Sequence, residues 1–168
     1  MPISDDLRDA LIREVLYRIY DECLPRILQC LDELDDEGIW WRPNENSNSI
    51  GNLVLHLNGN VRQWIITGLG KGADVRHRQA EFDARRVIQR EELVSLFLMT
   101  MAHVRPIISN TPVEELLNIR AVQTFEETGL TILIHVTEHF SYHTGQIAYI
   151  TKMLTDRQLG FYKGIPLE

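Results

Sequence analysis

Apolar residues recur at three- and four-residue steps along most of this chain, which is the spacing of one face of an α-helix. Between residues 7 and 34 the repeat falls on Leu7, Leu11, Val15, Ile19, Cys23, Ile27 and Leu31. No segment alternates apolar and polar residues with period two for long enough to predict a sheet. The pattern therefore predicts an all-α fold.

Turn and capping residues divide the helical pattern into four long segments. These segments cover residues 7–34, about 50–69, 89–109 and about 124–155. Pro25 lies inside the first segment and predicts either a kink near Asp21 or a junction of two helices. The run Thr124-Phe125-Glu126-Glu127 matches a capping box, so we expect the last helix to start there. Four long helices with connecting loops predict an antiparallel four-helix bundle.

The segments between the long helices carry turn and capping signals of their own. Ser47 or Ser49 is the predicted N-cap of the second helix. Residues 71–88 are charged and lack periodicity, so we expect irregular structure there. Thr111-Pro112-Val113-Glu114 predicts a short helix that ends near Ile119.

Length and charge restrict the class of protein. The chain has 168 residues, 44% of them hydrophobic, which predicts a single domain over residues 1–168. The net charge is −7 and no run of Lys and Arg reaches five, which argues against nucleic-acid binding. No apolar stretch approaches the ~20 residues that span a bilayer, and no leader-like pattern opens the sequence. We therefore expect a cytoplasmic protein with no membrane partner.

Three histidines form a stripe on the predicted last helix. His135, His139 and His143 are spaced four residues apart, and each step advances only roughly 40° around a helix. Gln146 extends the stripe by three residues. Apolar residues border this stripe on a helical wheel, so the imidazoles are predicted to lie at the edge of the core.

The second helix carries a matching polar stripe, which consists of Asn52, His56, Asn60 and Gln63. If the two stripes face each other, their buried polar groups need partners, because an unpaired one costs about 1–3 kcal/mol. A divalent metal ion satisfies several imidazoles at once, and His-x-x-x-His on a helix is a recurring metal-binding unit.

The chain contains this unit twice, as His139 with His143 and as His135 with His139, and His56 can supply a third ligand. Three protein ligands with an open position are typical of a catalytic metal site, and all-imidazole ligation suits zinc, nickel, copper or iron. Chance spacing on a core-edge helix is the alternative. The sequence has no HExxH motif, so a zincin-type base is not indicated.

Two segments resemble signatures of the DinB-like (YfiT-like) metalloenzyme superfamily. HVTEHFSYHTGQI at residues 135–147 is similar to its last-helix signature, and NSIGNLVLHLNGN at residues 48–60 is similar to its second-helix signature. Trp40-Trp41-Arg42-Pro43, Glu81-Phe82 and Leu159-Gly160-Phe161-Tyr162 resemble an uncharacterised bacterial subfamily of that group. The resemblance covers nearly the whole chain.

The resemblance implies a four-helix bundle, usually in a homodimer, with a metal bound by His56, His139 and His143. Nickel or zinc is the metal that it implies. Characterised relatives include bacillithiol S-transferases and mycothiol-dependent maleylpyruvate isomerase. The resemblance therefore implies a thiol-dependent S-transferase that takes a low-molecular-weight thiol and a small-molecule substrate. Despite its name, the superfamily is unrelated to DNA polymerases.

The residues themselves are compatible with three functions. A metal-bound thiol is deprotonated and serves a transferase, whereas a metal-bound water with lowered pKa serves a hydrolase. A non-catalytic, stress-associated metal-binding protein is the third possibility.

Several further residues are candidates for roles around the metal. Gln146 and Glu138 are candidates to orient a ligand imidazole. Asn60 and Arg62 are candidates to meet a substrate carboxylate, with a surface salt bridge as the alternative for Arg62. His135 is expected one turn before the metal ligands. His77 and His103 lie outside both stripes, so we expect them in solvent or loops.

Overall fold

Helices form most of the structure, a computed structural model that describes residues 3–86 and 88–166. The helices are α1 (Ile3–Leu16), α2 (Leu24–Asp32), α3 (Asp36–Trp40), α4 (Ile50–Val61), α5 (Arg78–Asp83), α6 (Arg90–Ser109), α7 (Val113–Leu117) and α8 (Gly129–Thr155). Two π-helical segments extend them, Tyr17–Cys23 between α1 and α2 and Arg62–Leu69 after α4. The strands β1 (Ile119–Val122) and β2 (Phe125–Thr128) pair antiparallel. The predicted long helical segments are therefore present, but the fold also contains a small sheet.

The first helical stretch changes character where proline predicts a break. Pro25 lies in the first turn of α2, directly after the π-helical segment Tyr17–Cys23. Proline has no N–H to donate to the carbonyl of Asp21, so the regular hydrogen-bond ladder is interrupted there. The chain changes from a π-helical to an α-helical segment between Cys23 and Leu24, and both residues keep right-handed helical backbone angles.

The start of α4 is fixed by a capping box. The Ser49 hydroxyl accepts a hydrogen bond from the Asn52 N–H at 3.1 Å, and the Asn52 Oδ1 accepts one from the Ser49 N–H at 3.1 Å. The Asn52 Nδ2 then donates to the carbonyls of Glu81 at 2.8 Å and Ala84 at 3.0 Å. One buried side chain therefore both starts α4 and holds the distant segment that contains α5. The short α5 corrects the expectation that residues 71–88 are irregular throughout.

The last helix begins later than the capping-box pattern indicates. Residues 119–128 form a hairpin in which Ile119 pairs with Thr128 and Val122 pairs with Phe125. Thr124 therefore lies in the turn, beside Gln123 in the left-handed backbone region at φ 54°. The predicted helix start at Thr124 is wrong, as is the prediction that no sheet forms.

The observed N-cap of α8 is Thr128, whose hydroxyl accepts from the Thr131 N–H at 3.1 Å. Helix α8 opens with Gly129, where a Cβ would overlap the carbonyl oxygen of Glu115 in α7. This close approach requires glycine and fixes where the helix can begin. The tertiary contact with α7 therefore outweighs the local Thr-x-x-Glu pattern upstream.

Helix α4 lies in the interior of the fold and contacts both α6 and α8. Nearly every residue of α4 is buried, including its polar side chains Asn52, His56 and Asn60. Phe97 of α6 and Phe140 of α8 are fully buried and stack with ring centroids 6.1 Å apart. Within the polar stripe of α4, His56 and Asn60 face histidines of α8, whereas Asn52 contacts the segment that contains α5.

Within the described residues, α6 is the helix long and apolar enough to cross a bilayer by length and composition. About a third (33%) of its most apolar window is buried inside the structure. The helix packs against α4 and α1. The criterion is weak evidence for a membrane span, because core helices of other proteins also satisfy it.

Truncation of one ring of the Phe97–Phe140 pair tests the position of this core. We expect Phe97→Ala to lower the free energy of unfolding by about 3–5 kcal/mol, because a buried ring is replaced by a cavity. Leu98→Ala on the same helix, where the side chain is 39% exposed, should change it by about 0.5 kcal/mol. Urea unfolding followed by circular dichroism measures both. Equal effects of the two substitutions would contradict the position of the core.

Candidate metal centre

Three imidazoles from two helices meet at one point. His56 comes from α4, and His139 and His143 come from adjacent turns of α8. The Nε2 of His139 lies 3.1 Å from that of His56 and 3.0 Å from that of His143. One nitrogen of each residue lies within 4.8 Å of the other two, an arrangement that could hold a metal ion. The structure thus brings together the three histidines predicted as ligands.

The outer nitrogens of two rings face oxygen acceptors. The Nδ1 of His56 lies 2.9 Å from Oε2 of Glu81, and the Nδ1 of His143 lies 2.7 Å from Oε1 of Gln146. Because these oxygens accept, both Nδ1 atoms carry the proton, and in the neutral ring the Nε2 atom then presents its lone pair to the centre.

These lone pairs are not all satisfied by protein groups. Both point toward His139, whose Nε2 can donate at most one hydrogen bond. At least one lone pair therefore lacks a donor, which is the condition that a bound cation relieves. The donor set fits a divalent transition metal on this ground.

His139 differs from its two neighbours. In the part of the chain that the structure describes, its Nδ1 is buried and has no hydrogen-bond partner. Burial, together with the facing rings of His143 and His56, lowers the pKa of His139 to about 3. Burial also lowers the pKa of His143. Both imidazoles are therefore neutral at physiological pH, which is the form that binds metal.

The carboxylate behind His56 belongs to a buried network. Arg76 donates through Nε to Oε1 of Glu81 at 2.7 Å and through Nη2 to Oε2 at 2.9 Å. Its Nη1 donates to Oε1 of Gln63 at 2.9 Å, and Gln63 donates to Asp74 at 2.7 Å. Burial disfavours the charged form of Glu81, but hydrogen bonds from Arg76 and His56 hold its pKa below the usual value. Glu81 is therefore an anion beside His56.

The two residues proposed to orient the ligands lie in different environments. Gln146 accepts from His143 as described and also contacts the Tyr142 hydroxyl at 3.4 Å. Glu138 is exposed, and the hydrogen bonds of the described residues do not connect it to the three histidines. Glu81 takes the position behind a ligand that the sequence analysis assigned to Glu138.

His135 lies beside the centre rather than within the group of three. Its ring stacks on Trp64 with centroids 3.7 Å apart, and its Nε2 lies 3.3 Å from Nδ2 of Asn60. Of the two overlapping His-x-x-x-His pairs, His139 with His143 is therefore the one that faces His56. His77 and His103 are exposed, as expected.

A cavity of about 320 Å³ opens beside the three histidines. Its lining includes two of them and residues from α4, the 76–78 segment, the hairpin and α8: His56, Asn60, Trp64, Arg76, Arg78, Gln123, Phe125, Glu127, His135 and His139. A second cavity of about 420 Å³ is lined in part by Gln146, and its lining contains no histidine. The first cavity is thus the route by which a small molecule can reach the imidazoles. Arg62 does not line it.

Arg76 and Glu81 are two residues of the site whose roles were not predicted from the sequence. Both lie in the charged, aperiodic region between α4 and α6, where no pattern places a side chain in the core. The signal present in the sequence is Gly59, since a Cβ at that position would overlap Oε1 of Glu81. A glycine three residues after His56 is therefore required by the approach of the carboxylate.

Comparisons with known proteins agree with this fold. The chain is similar to a solved DinB-like protein from Bacillus cereus ATCC 10987, with 13% identity and a TM-score of 0.64. The match covers 80% of this chain and 87% of that chain, and it shows a DinB-like fold. The model of DUF1572, a protein family of unknown function, matches residues 17–164. The chain therefore belongs to the DUF1572 family. A search of curated proteins finds no match.

The low pKa of His139 predicts acid sensitivity of the metal-free protein. The unfolded imidazole takes up a proton near pH 6.5, but the folded one does so only near pH 3. The unfolded state therefore binds more protons between these values, and stability falls as the pH decreases through this window. Urea unfolding at several pH values should show a smaller loss in His139→Ala than in the wild type. Equal losses would contradict the pKa assignment.

Proposed function

We propose that the chain binds one divalent metal ion, nickel or zinc, through the Nε2 atoms of His56, His139 and His143, and acts on a small-molecule substrate. The observation that carries this proposal is the convergence of three ring nitrogens of which two present lone pairs without sufficient donors. A metal ion is the ligand that satisfies all three at once. Imidazole ligation suits both metals.

The adjoining cavity supports a catalytic rather than a purely structural metal. A structural site is closed by four protein ligands, whereas a catalytic one keeps a position for water or substrate. The three histidines supply three ligands, and the cavity is lined by His56 and His139. When bound, the ion would supply Lewis acidity for a nucleophile within that cavity.

The chain's own residues would hold the substrate and its surroundings. The stacked rings of Trp64 and His135 form one wall, and Phe125 of the hairpin is a second apolar surface. Asn60 and Arg78 place polar groups on the lining. These features fit a small polar molecule with an apolar part.

Thiol-dependent S-transfer is the activity we propose first, with a low-molecular-weight thiol as cofactor. It is favoured by the DinB-like fold, because the characterised members of the superfamily that the chain resembles include thiol-dependent enzymes. Metal-dependent hydrolysis is the second candidate. It is favoured by His135, whose imidazole borders the cavity and whose pKa is lowered by burial, so that it is neutral and able to accept a proton.

We also propose an oligomeric state and a cellular location for the protein. We propose a single cytoplasmic domain with the antiparallel four-helix arrangement of the superfamily, present as a homodimer. Large exposed side chains on α8 support a partner surface there: Ile134, Tyr142, Tyr149 and Met153. A nucleic-acid partner is not part of the proposal.

Removal of one ligand should abolish metal binding. We expect His139→Ala to weaken the binding of Ni²⁺ or Zn²⁺ by more than about 100-fold, because it removes the central nitrogen of the group. Titration calorimetry and elemental analysis of the purified protein measure this loss. His103→Ala, which removes an exposed imidazole from α6, is the control and should bind as the wild type does. Stoichiometric metal in His139→Ala would refute the site.

The chemical class is tested by turnover of model substrates. An aryl halide electrophile with glutathione or cysteine should be consumed by the metal-loaded wild type and not by His139→Ala. Consumption of p-nitrophenyl acetate without thiol would favour the hydrolase. Full metal occupancy with neither reaction would support the non-catalytic binding protein.

A further inference from the structure

We propose that Glu81, held in place by Arg76, is the positioning residue that fixes the ring of His56 for metal binding. This inference rests on the proposed metal site and adds a residue from outside the two helices that carry the ligands. Glu81 lies on α5, 25 residues after His56, yet its carboxylate is 2.9 Å from the Nδ1 of that ring.

The surroundings of Nδ1 favour one tautomer of His56. Oε2 of Glu81 lies at 2.9 Å and Nη2 of Arg76 lies at 3.2 Å from the same Nδ1. Nη2 donates one of its two hydrogens to Oε2 of Glu81, and its contact with Nδ1 is the longer of the two contacts of that ring nitrogen. An unprotonated Nδ1 would place its lone pair against an anionic oxygen, which is repulsive. The Nδ1 therefore carries the proton, and the Nε2 is left free for the metal.

Arg76 fixes the carboxylate through two hydrogen bonds. Its side chain is 4% exposed and that of Glu81 is 10% exposed, so water screens the pair little. A bidentate guanidinium–carboxylate pair restricts both distance and plane. Glu81 is thus held at one orientation and can impose that orientation on the imidazole.

The segment that carries this pair is attached to the same helical stretch as His56. Asn52 binds the carbonyls of Glu81 and Ala84 from one turn before His56. Gln63 binds Arg76 and Asp74 from the π-helical segment after α4. Gly59 leaves the space that the carboxylate occupies. Four hydrogen bonds made by Asn52 and Gln63, together with the space at Gly59, therefore direct one carboxylate at one ring.

The three histidines differ in the group that faces the Nδ1 atom of each ring. His143 faces a neutral amide from its own helix, and the Nδ1 of His139 has no partner within the described residues. A neutral amide oxygen also fixes the tautomer, but an anionic acceptor raises the basicity of the coordinating nitrogen more. Loss of the charge at Glu81 should therefore affect the metal site more than loss of the amide at Gln146.

Glu81→Gln tests this role, because it keeps the shape of the side chain and removes its charge. We expect the affinity for Co²⁺, used as a spectroscopic probe, to fall about 10–100-fold, and the visible absorption of the bound ion to shift. Gln146→Leu should reduce the affinity less. Glu126→Gln, an exposed carboxylate on the hairpin, is the matched control and should leave both affinity and spectrum unchanged.

Glu81→Gln leaves the buried guanidinium of Arg76 without its counter-ion, which could prevent folding. A second variant therefore tests the same role. Gly59→Ala displaces the carboxylate without removing its charge and should weaken Co²⁺ binding in the same direction. Circular dichroism of the metal-free variants reports whether they fold. Unchanged affinity and spectrum in a folded Glu81→Gln or Gly59→Ala protein would overturn the role of Glu81.

The wild type alone gives an independent test. Nitrogen-15 NMR of the metal-free protein should show His56 protonated at Nδ1, and the opposite tautomer would overturn the proposal. If the wild type binds no Co²⁺, Ni²⁺ or Zn²⁺, the proposed function fails. If it binds them and Glu81→Gln binds equally well, the metal site stands and only the positioning role fails.

Discussion

Burial of a polar stripe on α4, where this helix packs against α8, dictates which side chains must surround it. An unpaired polar group in such a place costs about 1–3 kcal/mol, so the stripe requires partners throughout its length. Asn52 and Gln63 find them in the segment between α4 and α6, and His56 finds Glu81. Among the described residues, Oδ1 of Asn60 and Nδ1 of His139 are buried without a hydrogen-bond partner, and the Nε2 atoms of the three histidines meet without enough donors between them. The metal site is therefore one place where protein groups alone do not satisfy this interface.

The long helices were predictable because their signals are local. Periodicity located the stretches that contain α4, α6 and α8, and the proline located the change within the first stretch. The hairpin at residues 119–128 was not predictable in this way. Its Thr-x-x-Glu run satisfies a capping pattern, but the start of α8 is decided by the contact of Gly129 with α7. The contact with α7 therefore determines where α8 begins, although the capping pattern lies upstream of it.

The residues of the candidate site also differ in whether a local pattern or tertiary packing determines their position. The pairing of His139 with His143 follows from helix geometry alone, and Gln146 follows because it continues their face. The approach of His56 depends on the packing of α4 against α8, which the two polar stripes anticipate. Glu81 and Arg76 depend on how an aperiodic segment folds back on α4, and no periodicity indicates that path. The residues that hold the ligands were therefore harder to predict than the ligands themselves.

The amide of Asn52 joins two regions that are far apart in sequence. Its oxygen closes the first turn of α4, and its nitrogen binds carbonyls about thirty residues later. Neither region can open without releasing hydrogen bonds that belong to the other. The entrance of α4 and the 81–84 segment therefore form one cooperative unit, and their amide protons should exchange with solvent in a single opening event.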